Sequence, residues 1–431
     1  MIAVVHPTGN QNVRSVLTAL HGRGLLAVYL TTVGHSEHAP LPRWLPPRWH
    51  PEWRRRAYAL PADLIHGHPA RELGRLGAER AGWRFLTRSE TGVLGADAIY
   101  RHLDCRVARQ LDRLALTRFV GAVYGYEYGC HASFRRARQM GLSRFYDLPI
   151  VYWQTAARLL EEEAARLPAW KPTLPAGGCQ AAKAARRTRE LADAEVVFCP
   201  SRFVADSVPT WARESKEVVV APFGSPAAEA GGAPRREERR GRLRVLFAGS
   251  MSQRKGLGDL FAAMHRLRGT EIELVVLGAP IAPMAFYRGE YPGFIHEATR
   301  PHADVLRLMR TCDVLALPSI AEGRALVMQE AMSQGLPLLI TANTGGEDLV
   351  EPGRTGFLVP IRSPEALADR LAWFAAHREE TRAMGERARA KAATFQWADY
   401  GATIAGAIER HVSPARRGDP VALGPELRQT A

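Results

Sequence analysis

The strongest constraint on the fold of this chain is an alternation that runs almost its full length. Short apolar runs alternate with stretches of helical spacing, and a few polar or glycine-containing residues join them. A short, uninterrupted apolar run suits a strand covered on both faces, the form strands take in parallel sheets. Parallel neighbours need a crossover, and the helical stretches supply it. The expected fold class is therefore α/β, built from parallel strand–loop–helix units. Expected strands lie at 2–5, 25–30, 119–124, 150–153, 196–199 and 218–221, with helices after the first loop and at 156–167 and 180–191.

Residues 224–242 (GSPAAEAGGAPRREERRGR) break the pattern, because they are rich in Gly, Pro, Ala and charge and have no apolar period. Such a segment reads as a linker. It divides the chain into a first domain, 1–223, and a second, 243–394. In the second, strands are expected at 243–248, 272–277, 314–317 and 337–341, and helices at 257–267, 303–309 and 326–333. Ser363-Pro364 opens a further helix with a capping serine and a first-turn proline. An amphipathic helix at 397–411, within a segment 395–412, is free to pack back on the first domain, and the tail 413–431 is expected to be disordered. A length of 431 residues suits two domains.

The net charge of +14 raises the question of nucleic acid. Of 58 basic residues only Lys171, Lys183, Lys216, Lys255 and Lys391 are lysines, and the rest are arginines. That skew, with abundant Ala and Gly, resembles a GC-rich coding bias. The arginines are dispersed and no RRM, KH or zinc-finger pattern accompanies them, so a basic surface is favoured over a nucleic-acid partner. The five scattered cysteines, none in CxxC spacing, point to reduced thiols and a cytoplasmic setting. The opening MIAVVHPTGN lacks the features of a signal peptide, and no apolar run approaches the roughly 18 residues that span a bilayer.

In parallel sheets, ligands bind beyond the carboxyl ends of the strands, so the loops there should carry the chemistry. The loop 249–256 follows a strand and reads Gly-Ser250-Met-Ser-Gln-Arg254-Lys255-Gly. Two adjacent cations beside a helix N-terminus make a phosphate site. A solvated basic turn is the plainer reading, but a lysine is rare in this chain. The loop 318–325 carries Glu322, Gly323, Arg324 and Ala325 and opens a helix at Leu326 that bears Glu330. The helix N-terminus suits a pyrophosphate, and carboxylates beside phosphates suit the paired hydroxyls of a sugar and a ribose. The alternatives are charge capping for Glu322 and a solvated face for Glu330.

The stretches 245–264, 313–350 and 352–360, read together, resemble the family 4 glycosyltransferases of the GT-B fold. The resemblance is strong over roughly 150 residues and extends weakly to 193–208 and 221–224. It implies two Rossmann-like domains facing a cleft, and a nucleoside-diphosphate sugar as donor. Glu322 and Glu330 match the family's E-x7-E motif, with Glu322 toward the donor sugar and Glu330 toward the ribose. Gly323–Ala325, with Arg254 and Lys255, would hold the diphosphate. The resemblance also implies transfer with retention to a hydroxyl of a glycan or lipid-linked acceptor, in cell-surface polysaccharide or glycolipid assembly. Ser250 stands where many members have arginine, and EGRA replaces the usual EGFG. Arg254 is then expected to supply the missing cation, and Arg324 to reach an anionic group of donor or acceptor.

In the first domain, Gly9 and Asn10 of HPTGNQN are expected to line the cleft, with Asn12 a candidate helix cap. Glu127 and Asp147 are weaker candidates for acceptor contacts beside a structural hydrogen-bonding role. Gly22-Arg-Gly24 falls at a helix end, so it is no dinucleotide fingerprint. Asp193-Ala-Glu195 precedes a strand, and the histidines lack HExxH spacing, so no metal and no other cofactor is expected. Residues 40–56 carry three tryptophans and five arginines among five prolines. Two readings stand: a stiff surface loop, or a face for an anionic membrane or a lipid-diphosphate acceptor, which would place the protein peripherally on the inner side of a membrane. An epimerase or phosphorylase of the same shape, and a basic nucleic-acid-binding module, are the rival functions.

Overall fold

The computed structural model describes residues 1–43, 46–88, 91–175, 181–226 and 241–412. The expected linker lies largely, and the expected tail entirely, outside them. The strands in chain order are β1 Ile2–Val5, β2 Leu26–Thr31, β3 His35–Ser36, β4 Ala57–Tyr58, β5 Ile65–Gly67, β6 Ala122–Tyr126, β7 Ser143–Asp147, β8 Val196–Cys199 and β9 Glu217–Val220, then β10 Leu243–Ala248, β11 Ile272–Leu277, β12 Phe294–Glu297, β13 Val314–Leu317, β14 Leu338–Ile340 and β15 Gly356–Leu358. They form a seven-stranded sheet ordered β5-β2-β1-β6-β7-β8-β9, a six-stranded sheet ordered β12-β11-β10-β13-β14-β15, and a two-stranded ladder β3-β4. Every strand pairing in the two sheets is parallel.

The strand order reverses between β1 and β6 in the first sheet and between β10 and β13 in the second. At such a switch point the crossovers diverge to opposite faces and leave a crevice. The loops 249–256 and 318–325 follow β10 and β13, so both flank the switch of the second sheet. The HPTGN loop follows β1 and holds the equivalent place in the first.

Three expectations about elements need correction. Residues 150–153 form no strand; β7, immediately before them, takes that place in the sheet. Its sequence SRFYD is too polar to read as an apolar run, whereas 150–153 is apolar because Ile150 and Val151 meet the second domain and Tyr152 and Trp153 pack in the first domain's core. The strand expected from 119 begins at Ala122, because Phe119 is left-handed (φ 53°) and ends a long helix, Ala96–Arg118. Asn10, not Asn12, is the N-cap of the first helix, Gln11–Gly22.

Helix Trp397–His411 lies against that first helix. Ile404 and Ile408 join Val13, Val16, Leu17 and Leu20 in one core cluster, and the Arg23–Glu409 ion pair (2.7 Å) fastens the outer edge. The buried Tyr400 hydroxyl donates to Asp147 at 3.1 Å, as Tyr124 does at 2.6 Å. Burial raises the Asp147 carboxyl to about 7, against the pull of these two hydrogen bonds.

A second crossing goes the other way. Helix Trp153–Arg166 and the turn Pro168–Thr173 belong to the chain before β8 but pack on the second domain. Trp170 is buried in the second domain's core, edge-on to Phe261, Phe286 and Tyr287, with its indole N–H donating to Glu290 at 2.7 Å. Val151 and Leu159 meet Ile320 and Ala321 in a small apolar cluster between the domains.

Candidate active site at the switch point of the second sheet

The loops after β10 and β13 are interlocked: the Ile320 N–H donates to the Arg254 carbonyl at 2.8 Å. Gly249 has φ +146°, and a Cβ there would lie 2.6 Å from Lys255 Cδ, so only glycine lets the lysine fold back across the strand end. Both cations then converge on one carboxylate. Arg254 Nη1 lies 2.6 Å and Lys255 Nζ 2.7 Å from Glu322 Oε1. All three side chains are largely buried, with 22%, 12% and 11% exposure. Two cations against one anion leave the cluster with a charge of about +1, in a place where water screens poorly.

Behind the cations lies a buried support that the sequence did not suggest. Gln253 is fully buried and its Nε2 donates to Glu163 and Asp259, both at 2.8 Å. Its Oε1 accepts from the Gly258 N–H at 2.9 Å, and its own N–H donates to the Thr173 hydroxyl at 3.1 Å. Arg166 pairs with Glu163 and Asp259, each at 2.8 Å, and Arg362 with Glu163. Burial pushes the Glu163 carboxyl up, but hydrogen bonds from Arg166 and Gln253 outweigh it and hold the group below the usual carboxylate range. The turn carrying Arg254 and Lys255 is therefore clamped by a segment of the other domain. The only local signal was a glutamine beside two cations.

The Glu322 loop is held by both domains as well. The Glu322 carbonyl accepts from the Val151 N–H at 3.2 Å, and the Gly323 carbonyl from the Ser201 hydroxyl at 2.7 Å. A Cβ on Gly323 would lie 2.0 Å from the Pro149 carbonyl, so the approach of the two domains requires glycine at this position. Helix Leu326–Ser333 starts from Ala325 with no side-chain cap, which leaves its first N–H groups to other acceptors, and Leu326 is partly exposed at its mouth. Glu330, one turn on, pairs with His302 at 3.1 Å. Ser250 lies half-buried at the strand end, 3.4 Å from the Ser252 hydroxyl.

Two expected contacts are corrected. Arg324 does not reach toward a ligand: its side chain is fully buried, with Nε donating to Gln329 at 3.0 Å and Nη1 to Asp348 at 2.7 Å and to the Gly345 carbonyl. It braces the loop from inside. Glu127 is likewise interior, paired with Arg187 at 2.8 Å and almost without exposure. Burial raises its carboxyl against the attraction of Arg187.

Gly9 and Asn10 line a separate cavity of about 550 Å³, walled entirely by residues 7–58 of the first domain. The loop is well fixed. The buried His6 ring accepts from the Thr8 N–H at 3.0 Å and is kept neutral by burial, which lowers it to about 3. Arg14 donates to the Gly9 carbonyl at 2.9 Å and to the Arg55 carbonyl at 2.7 Å, with its guanidinium over the Tyr58 ring. Arg54 and Arg55 stand exposed on the rim. Of the tryptophans in 40–56, Trp53 stacks on His35 at 3.8 Å and Trp49 lies under Arg80 at 3.5 Å, while Trp44 lies outside the described residues.

Known proteins resemble this chain in part of its sequence and in its fold. Residues 234–391 match the family model described as glycosyl transferases group 1. This part of the chain is a group 1 glycosyltransferase domain. The D-inositol 3-phosphate glycosyltransferase of Corynebacterium glutamicum is 32% identical over 174 residues, which is 37% of this chain and 41% of that protein. A putative colanic acid biosynthesis glycosyltransferase of Escherichia coli is 36% identical over 152 residues, 31% of this chain and 36% of that one. The chain thus spans less than half the length of these curated relatives. Among solved structures, sucrose-phosphate synthase from Thermosynechococcus elongatus superposes with a TM-score of 0.60 at 16% identity, covering 95% of this chain and 98% of that one. Anabaena HepE in complex with UDP and glucose gives 0.58 at 15% identity, covering 95% and 99%. The likeness establishes the GT-B fold over both domains, while the glycosyltransferase family match covers only the second.

Proposed function

We propose that the chain is a retaining glycosyltransferase moving a sugar from a nucleoside-diphosphate sugar to a hydroxyl of a glycan or lipid-linked acceptor. We place it in cell-surface polysaccharide or glycolipid assembly on the cytoplasmic side of a membrane, without an essential metal. The observation that carries this reading is the convergence of Arg254 and Lys255 on Glu322 at the switch point. When the glycosidic bond of such a donor breaks, the diphosphate gains negative charge. A preorganised cluster of charge about +1, beside an uncapped helix N-terminus, favours that state over the ground state. Glu322 holds both cations through one carboxylate oxygen and so keeps their remaining N–H groups turned to an incoming phosphate. Glu330, on the following helix, is assigned to the ribose hydroxyls. The names of the relatives, which act on inositol phosphate or in colanic acid biosynthesis, support a sugar-transfer role.

The test is calorimetry with a panel of nucleoside diphosphates and their sugars. Lys255→Ala should weaken diphosphate binding by about tenfold to a hundredfold, the range of a charge-assisted bond in a screened site. Unchanged affinity would remove the phosphate assignment. Incubation with donor alone separates transfer from epimerisation, since an epimerase would convert the sugar without an acceptor.

A further inference from the structure

Two passages between the domains lie side by side. The chain leaves the first domain through residues 221–225 and returns to it through residues 395–397. The Ser225 N–H donates to the Phe395 carbonyl at 2.8 Å, and the Phe223 and Trp397 rings stack with centroids 5.7 Å apart. A Cβ on Gly224 would run into the Trp397 backbone nitrogen, so the two backbones meet only because glycine stands there. The Trp397 carbonyl in turn accepts from the Ser15 hydroxyl on helix Gln11–Gly22, which opens from the Gly9–Asn10 loop.

The loop that carries Glu322 reaches this double passage from the second domain. Gln329 lies beside Glu330 in helix Leu326–Ser333 and is fully buried. Its Oε1 accepts from Arg324 Nε at 3.0 Å, and its Nε2 donates to the Phe223 carbonyl at 2.7 Å and to the Ser225 hydroxyl at 3.0 Å. A guanidinium only donates and a carbonyl only accepts, so the amide has one orientation here. The Arg324 guanidinium also lies 5.1 Å from the centre of the Phe395 ring, and its Nη2 is buried with no hydrogen-bond partner among the described residues. Arg324 thus reaches one segment of the passage through Gln329 and the other directly. The phenylalanine of the usual EGFG has no donor for Gln329, so this link belongs to the present chain and not to the motif.

We propose that Arg324 and Gln329 are positioning residues that couple the Glu322 loop to the double passage, so that a nucleotide bound at Arg254, Lys255 and Glu322 stiffens the joint between the domains. The coupling rests on the nucleotide site proposed above. Both side chains are closed to a ligand, and they act through their chain neighbours Gly323 and Glu330. Such coupling is reciprocal: loosening the passage weakens nucleotide binding by the factor by which the nucleotide tightens the passage.

Hydrogen exchange of the full chain, read by mass spectrometry with and without nucleotide, tests this. The probe is whichever of UDP, GDP, ADP and dTDP binds best by calorimetry. In the wild type it should slow exchange about fivefold in peptides covering 221–225 and 395–400, as well as in 318–333. Gln329→Glu keeps an acceptor for Arg324, but a carboxylate cannot donate to Phe223 or Ser225. It should lower the nucleotide affinity about fivefold and abolish the slowing at the passage, while the slowing at 318–333 remains. Ser225→Ala removes one acceptor of Gln329 and no group of the nucleotide site. It should lower the affinity about twofold and reduce the slowing, and it decides the matter if Gln329→Glu does not fold. The coupling is overturned if bound nucleotide leaves exchange at the passage unchanged in the wild type. It is equally overturned if the folded variants keep the wild-type affinity and the wild-type slowing. A wild type that binds none of the four nucleotides overturns the nucleotide reading and the coupling with it, and calorimetry alone tells that result from the others.

Discussion

The loops after β10 and β13, at the switch point of the second sheet, and the connection after β2, one strand from the switch point of the first, are built in opposite ways. In the second sheet, the turn after β10 runs from 249 to 256 and that after β13 from 318 to 325, and each delivers its charged residues within a few positions of the strand. In the first sheet, the connection after β2 runs from 32 to 64 and carries the β3-β4 ladder and three short helical segments before the chain rejoins at β5. Short loops fix what they bind through the strands themselves. The long excursion has to be tied down from outside, and Arg14 does so by bonding the Gly9 and Arg55 carbonyls. The first arrangement suits a ligand part common to many reactions, and the second suits a part that differs from one protein to the next.

The sharpest way to break this comparison is to unfasten the second site from the first domain. Trp170 supplies an aromatic anchor from one domain to the core of the other. Trp170→Ala should cost about 3–5 kcal/mol of unfolding free energy, read from denaturant midpoints, because it leaves a cavity among Phe261, Phe286 and Tyr287 and an unpaired Glu290. A loss below about 1 kcal/mol, outside the range of buried aromatic truncations, would show that the crossing is not an anchor.

The other crossing titrates. Between the ordinary carboxyl value of 3.8 and the raised value of about 7, the fold keeps a proton on Asp147 that the unfolded chain has released. Stability therefore falls as pH rises through that window, by about 4 kcal/mol at its end. Asp147→Asn, still able to accept from Tyr124 and Tyr400, should remove this fall. Thermal midpoints of variant and wild type that run parallel from pH 4 to 7 would show that the buried carboxyl does not titrate as described.

Gln253 sharpens the contrast further. Gln253→Ala leaves Glu163 and Asp259 each short of one donor and frees the Arg254–Lys255 turn, at a cost of about 1–3 kcal/mol. As a positioning residue it should also weaken diphosphate binding. A destabilised protein that binds nucleotide as the wild type does would show that the clamp is structural only.

What could be read in the sequence follows the same division. Strand 272–277 and helices 326–333 and 397–411 have the expected bounds, because apolar period and local signals agree there. The charged loops were visible because their meaning is local: a strand, a glycine, then cations or a glutamate. That both cations share Glu322 Oε1 was not visible, since residues some 67 positions apart must first be brought together by the sheet. Arg324 misled for the same reason, since an arginine in a ligand loop reads as a ligand contact until Gln329 and Asp348 are placed beneath it. Residues 150–153 looked like a strand because they are apolar, but Ile150 and Val151 are apolar to meet Ile320 and Ala321, and Tyr152 and Trp153 to fill the first domain's core.

The smallest effect falls on the first-domain cavity. Arg54 is exposed on its rim with no ion pair among the described residues, and Arg55 shares its charge with Glu52 at 3.0 Å. If the long loop serves the acceptor and the short loops the donor, Arg54→Ala should raise the acceptor KM by about fivefold, the worth of one exposed charge contact. The donor KM and the nucleotide affinity should not move, because among the described residues the cavity is lined only by residues 7–58. The effect should fade as salt rises, as expected for a charge that water reaches. A change in donor affinity of similar size would mean that the two loops act on one ligand, and the contrast between a common short-loop site and a variable long-loop site would then be lost.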